Sequence, residues 1–150
     1  MLRPLCASDE TVYLNMANEF YHSEAVLHPV PQSYLKRTFD AVVSGNPFVS
    51  CDLIMEQDTV AGYALLAHTW SQESGGDVIW VEELYVLPQF HGKGLGTAFF
   101  EELRRKYPHA SRFRLELEPD NERAEKLYRK MGFDFLEYCQ MVKDTPLQLD

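Results

Sequence analysis

The sequence predicts an α/β chain of the α+β kind, with element order βααβββαβαβ, on three observations. Phe48 to Met55 and Thr59 to Trp70 are rich in strand formers and separated only by Glu56-Gln57-Asp58, short enough for an antiparallel hairpin. Asp77 to Leu87 adds a third long strand, and from Gly92 the apolar period turns helical, with Leu95, Ala98, Phe99 and Leu103 on one face. A composition of 45% hydrophobic and 25% charged residues is that of a globular protein and argues against a disordered tail or a fibre. Its 150 residues fit a single domain, and no repeat or low-complexity tract divides them, so residues 1–150 are expected to form one unit.

Leu2 to Leu5 reads as a short strand. Ser8 is placed to cap a helix through about Tyr21, with Asp9 and Glu10 in its first turn and Val12, Met16 and Phe20 along one face. A second helix starts near Pro31, carries Tyr34, Leu35, Thr38, Phe39 and Val42, and ends at Gly45. Ser71 to Asp77, with two adjacent glycines, is a loop. The alternation of the strand that follows stumbles at Glu82 and Glu83, as it would around a bulge. Pro108 stops the helix that begins after Gly92, and Arg112 to Leu117 alternates as a strand. Pro119-Asp120-Asn121 supplies caps for a helix bearing Ala124, Leu127, Tyr128 and Met131 that ends at Gly132, and Phe133 to Val142 returns as strand.

The formal charge of −9 repels nucleic-acid phosphates and anionic membrane surfaces and favours cationic partners. The longest apolar stretch, Val60 to Ala67, contains Gly62 and falls far short of the ~20 residues that a membrane span needs. Met1 to Glu10 has no apolar core of signal-peptide length, which predicts a cytoplasmic protein. Cys6, Cys51 and Cys139 are widely spread, and we read them as small buried hydrophobes. The histidines at 22, 28, 68, 91 and 109 never fall three or four apart, so no metal is implied.

Chemistry concentrates in Gln89-Phe90-His91-Gly92-Lys93-Gly94-Leu95-Gly96-Thr97, a strand-to-helix junction with three alternating glycines. Glycines there permit positive φ and close approach of a ligand, while first-turn amides and the helix dipole attract an anion, so phosphate is the natural guest. Lys93 adds a positive charge, and His91 adds another when protonated. A plain turn that needs glycine for shape is the competing reading. The nucleoside-triphosphate pattern GxxxxGK[ST] does not fit, because Lys93 precedes Gly94. A dinucleotide fingerprint fits better, with Gly92, Gly94 and an acid at Glu116, but Thr97 stands where its third glycine belongs.

Gln89-Phe90-His91-Gly92-Lys93-Gly94 resembles the coenzyme A signature [QR]xxGx[GA] of the GCN5-related N-acetyltransferase family. Asn121-Glu122-Arg123-Ala124-Glu125-Lys126-Leu127-Tyr128-Arg129-Lys130-Met131-Gly132-Phe133 is similar to that family's NxxAxxxYxxxGF helix and strand. The likeness covers roughly Phe48 to Tyr138, and Glu82-Glu83-Leu84-Tyr85-Val86 is similar to the corresponding strand of polyamine and thialysine acetyltransferases. The resemblance implies a mixed, mostly antiparallel central sheet flanked by helices, in which the bulged strand parts from its neighbour to admit acetyl-CoA. It further implies that the backbone of Leu84, Tyr85 and Val86 contacts acetyl-pantetheine, with an amide near Val86 facing the developing oxyanion. By the same likeness Gly92, Lys93, Gly94, Leu95, Gly96 and Thr97 wrap the pyrophosphate, and Asn121 is a polar contact to the cofactor. Asn121 also fits a helix cap.

The reaction implied is transfer of acetyl from acetyl-CoA to a primary amine of a small cationic molecule or peptide, by direct attack in a ternary complex. Exposing the lone pair of an alkylammonium with pKa ~10.4 costs about 4 to 5 kcal/mol at pH 7, so a base is needed. Glu82 is the first candidate and Glu83 the second, because adjacent strand residues point to opposite faces and one of them serves structure instead. Tyr128 lies on an apolar helical face where a core aromatic is the plain reading, and the resemblance adds a role at the departing CoA sulfur. Tyr21 to Pro29 mixes aromatic, imidazole and carboxylate groups that suit an amine pocket, a surface loop or a dimer contact. A noncatalytic acyl-CoA-binding module and a dinucleotide-binding oxidoreductase are the alternative functions, and the resemblance leaves a homodimer open.

Overall fold

A computed structural model describes residues 1–145. Five strands form one sheet in chain order: β1 (Leu2–Pro4), β2 (Val49–Glu56), β3 (Thr59–Ser71), β4 (Gly76–Val86) and β5 (Arg112–Leu115). The first four pair antiparallel and β5 joins β4 in parallel, so the sheet is mixed and mostly antiparallel. Helices α1 (Glu10–Phe20) and α2 (Gln32–Val43) precede the hairpin, α3 (Leu95–Lys106) connects β4 to β5, and α4 (Glu122–Lys130) follows β5. The parallel β4–β5 pair requires a crossover, which α3 provides.

The sheet separates two apolar layers, as period-2 alternation requires. On one face Leu53, Tyr63 and Leu65 pack with Tyr13, Met16, Ala17 and Phe20 of α1 and with Leu35 and Phe39 of α2. On the other, Ile54, Ala64, Leu66, Ile79 and Val81 pack with Phe99, Phe100 and Leu103 of α3. Gly96 is where α3 meets α4, since a Cβ there would stand 2.7 Å from Leu127 Cδ2. Asp52 on β2, 1% exposed, receives the Lys106 ammonium from α3 at 2.5 Å and ties the second layer to the sheet.

The structure departs from the sequence reading in places where a side chain found a partner that periodicity does not name. Ser8 does not cap α1. A 3-10 turn over Ala7–Asp9 precedes it, and Asp9 Oδ2 accepts from the Cys6 amide at 2.9 Å while Arg3 forks onto both Asp9 oxygens at 2.8 and 2.9 Å. Those bonds hold the Asp9 carboxyl well below the usual carboxylate range, the Arg3 contact being the largest cause. Cys51 is buried, but Cys6 and Cys139 are exposed, and Cys6 Sγ donates to Asp9 Oδ2 at 3.0 Å. In α3 it is Phe100, not Ala98, that joins Phe99 and Leu103 in the core.

The strand expected over residues 133–142 does not form. Those residues carry no regular structure and pair with no strand among the described residues, and β5 stops at Leu115 rather than Leu117. Side chains hold the segment instead: Phe133 packs on Phe100 with ring centroids 5.3 Å apart, and the Tyr138 hydroxyl donates to Glu73 at 2.9 Å. Strand propensity describes a half-buried pleated surface, and here Phe135, Tyr138, Met141 and Val142 remain exposed.

Candidate active site

The site begins at an interruption in β4. Leu65 of β3 pairs with Glu83 and Leu66 with Val81, so Glu82 is the extra residue of a bulge. A strand without that insertion would send residues 79, 81 and 83 to one face. Here Ile79 and Val81 face α3, whereas Glu83, Tyr85 and Leu87 turn toward α1, and Leu84 and Val86 take up the α3 side.

The bulge also marks where two strands part. The β4–β5 register runs from Val78↔Arg112 to Val81↔Leu115 and ends, leaving Glu82 to Val86 without a strand partner on that side. The Leu87 amide donates to the Ala61 carbonyl at 2.8 Å, so by antiparallel alternation the backbone groups of Glu83 and Tyr85 face β3 and those of Leu84 and Val86 face the gap. Of the three residues whose backbone the resemblance assigned to acetyl-pantetheine, Tyr85 is therefore committed to β3. Its hydroxyl donates to Glu19 on α1 at 2.6 Å, and burial, with that bond, pushes it up to about 12.

The two carboxylates occupy different environments. Glu83, 7% exposed, accepts from Tyr21 through Oε1 and from Tyr63 through Oε2, both at 2.6 Å. Burial raises its pKa, and the two phenols pull in the opposite direction. Burial and the Glu83 charge push both phenols upward as well, so they remain donors. Glu82 is exposed at the bulge, and its pKa is raised by the surrounding protein first, then by Glu116 and Glu83. Its neighbourhood is acidic, and a cation brought there would be attracted.

Beyond β4 a 3-10 turn (Pro88–Phe90) leads to Gly92 and Gly94, whose φ values of +78° and +75° lie in the left-handed region. A Cβ at either glycine would meet nothing within 4 Å among the described residues, so the loop is open on its outer side. Gly94 precedes α3 directly, leaving the amides of Leu95, Gly96 and Thr97 as the unbonded first turn. Lys93 is drawn to Glu56 at 3.9 Å and lies over the Phe90 ring at 5.2 Å. His91 Nε2 donates to the Val86 carbonyl at 2.7 Å, and its Nδ1 accepts from Arg123 of α4 at 3.2 Å. Arg123 is the cation that the sequence reading passed over, because the spacing of its own helix gives no sign of a loop some thirty residues upstream.

Asn121 caps α4, its Oδ1 accepting from the Ala124 amide at 3.1 Å. Tyr128 packs edge-on against Phe100 and Phe133, with centroids 5.8 and 6.1 Å away, and burial raises its pKa. Its ring thus has the core contacts that its helical face predicts. No group of three or more His, Cys, Asp and Glu side chains among the described residues is arranged to hold a metal. No helix among them is long and apolar enough to cross a membrane.

A strand edge with free backbone groups, continuing into a glycine turn that presents helix amides, fits the peptide-like arm and diphosphate of acetyl-CoA. The comparisons agree. Residues 13–133 match the acetyltransferase (GNAT) family. The chain is 29% identical over 142 residues to the thialysine N-epsilon-acetyltransferase of Mus musculus, covering 87% of this chain and 82% of that protein. Its fold is shared with a possible acetyltransferase from Clostridium difficile 630, at TM-score 0.80 and 16% identity over 98% of each chain. It is also shared with AAC(6')-Iy in complex with the bisubstrate analogue CoA-S-monomethyl-acetylneamine, at TM-score 0.77 and 14% identity over 97% of this chain and 98% of that one. Family and fold displace the dinucleotide reading: the chain belongs to the acetyltransferase (GNAT) family and is an acyltransferase that uses acetyl-CoA as its cosubstrate.

Proposed function

We propose that this enzyme is an N-acetyltransferase acting on a primary amine of a small cationic molecule or peptide, by direct attack in a ternary complex. The observation that carries the reading is the parting of β4 from β5 beyond Val81 and Leu115, which leaves the backbone of Leu84 and the Val86 amide without a strand partner beside the glycine turn, the Val86 carbonyl being taken by His91. Bound acetyl-CoA supplies an activated acetyl thioester. The amides of Leu95, Gly96 and Thr97, reached through Gly92, Lys93 and Gly94, hold its diphosphate. Leu84 and Val86 line its arm, and the Val86 amide donates to the oxygen on which negative charge grows. Asn121 keeps the start of α4 in place through its cap and offers its side-chain amide to the same ligand.

Glu82 takes the amine's proton, directly or through a water. Its raised pKa suits that task, because a base works best when its pKa approaches the working pH. Glu83 is held by two phenols, and we assign it to shaping the field at the bulge rather than to accepting the proton. Tyr128 hydrogen-bonds the departing sulfur; complete transfer from even an ordinary phenol (pKa ~10) to a thiolate of ~8.5 is uphill, and burial raises Tyr128 further, so its contribution is partial.

A cationic acceptor is supported by the −9 charge and by the carboxylates Glu82, Glu83 and Glu116 around the bulge. The relative named for thialysine and the structure carrying an acetylneamine analogue both concern amines. On this reading residues 1–150 are one catalytic domain, residues 146–150 of which lie outside the described residues, working in the cytoplasm without nucleic-acid or membrane partners. An amine panel with acetyl-CoA, followed by thiol release, tests it. Turnover with cationic amines is expected, and turnover confined to anionic acceptors overturns the charge argument. Binding of acetyl-CoA with no thiol release on any amine would favour a noncatalytic acyl-CoA module.

A further inference from the structure

We infer that Arg123 is a phosphate-binding residue of the acetyl-CoA site, placed there by His91. The inference rests on Gly92 to Thr97 being the phosphate cradle. An acidic protein that binds a polyanion needs local cations, and the one lying within the glycine turn, Lys93, is shared with Glu56 and Phe90. Arg123 reaches the turn from outside it. It stands in the first turn of α4, and its guanidinium meets His91 Nδ1 at 3.2 Å. His91 is fixed in turn by its other nitrogen on the Val86 carbonyl, at the end of the free strand edge.

Among the described residues Arg123 pairs with no carboxylate, so its charge is not spent within the fold. One imidazole contact uses one of five guanidinium donors and leaves the fork open to phosphate oxygens. The contact therefore sets a cation at His91, next to the glycine turn that is proposed to hold the diphosphate and that the 3′-phosphate of the nucleotide would also approach. His91 is a positioning residue in this arrangement, acting through Arg123.

The test compares wild type, Arg123→Ala, Arg123→Lys and His91→Ala with acetyl-CoA, acetyl-dephospho-CoA and acetyl-pantetheine, using one reactive amine. Arg123→Ala is expected to raise KM for acetyl-CoA roughly ten- to a hundredfold with little change in kcat, the size of one lost charge-assisted contact. Arg123→Lys recovers part of the loss, and His91→Ala shows a smaller rise in KM. With acetyl-pantetheine, which has no phosphate, wild type and Arg123→Ala become equal. A defect that persists with acetyl-dephospho-CoA assigns the contact to the diphosphate, and one that disappears assigns it to the 3′-phosphate. The inference fails if Arg123→Ala leaves KM for acetyl-CoA unchanged, or if its defect is equally large with acetyl-pantetheine. Wild-type protein that does not bind acetyl-CoA at all overturns the cradle itself, which is a separate result.

Discussion

The Tyr63 hydroxyl, on β3, donates to Glu83 Oε2 on β4 over 2.6 Å in a buried site, and this bond exists because one extra residue rotates Glu83 to the α1 side. Tyr63→Phe leaves a buried carboxylate short of a donor. We expect a loss of about 1 to 3 kcal/mol in urea unfolding with an unchanged m-value, and a smaller loss for the half-buried Tyr21→Phe.

Glu83 also gives stability a pH dependence. Its folded pKa is raised, so its contribution is fully present below the ordinary carboxylate pKa and is lost as pH rises through the raised value. Glu83→Gln should therefore gain stability relative to wild type between acid and neutral pH. Parallel unfolding curves across that range would show that Glu83 carries no such burden.

Glu82 and Glu83 separate in kinetics. Glu82→Gln is expected to lower kcat about 10²- to 10⁴-fold, the span of a lost general base, while Glu83→Gln retains most turnover. Because Glu82 must be deprotonated to act, kcat/KM should rise through a pKa above the ordinary carboxylate range. Glu116→Gln removes a like charge and should move that limb to lower pH. An acidic limb that ignores Glu116 counts against Glu82 as the titrating group.

Tyr128→Phe keeps the ring against Phe100 and Phe133 and removes only the hydroxyl. Turnover should fall more than acetyl-CoA affinity. Equal turnover in the two proteins removes Tyr128 from the chemistry.

Ligand-induced stabilisation gives an inexpensive check on the glycine turn. Acetyl-CoA and CoA should raise the melting temperature in a concentration-dependent way and NAD should not. Gly94→Ala should reduce that rise and cost about 1 kcal/mol by itself, because φ there is +75°.

What the sequence determined by itself is the local grammar. The 48–70 hairpin, the glycine turn opening α3, Asn121 capping α4 and Gly132 closing it all follow from propensity, period and capping, which act within a few residues. The bulge was legible too, as two carboxylates breaking an alternation. Which of them turns inward was not, since that depends on how β4 registers against β3. Nor were the phenols of Tyr21 and Tyr63 on Glu83, the guanidinium of Arg123 at His91, the exposed thiols of Cys6 and Cys139, or the failure of residues 133–142 to pair. The thiols aside, whose exposure depends on which surface the fold leaves uncovered, each of these is a relation between segments distant along the chain. Only tertiary structure decides such relations, because a hydrogen bond, a bulge or a strand ladder needs a partner that periodicity cannot name.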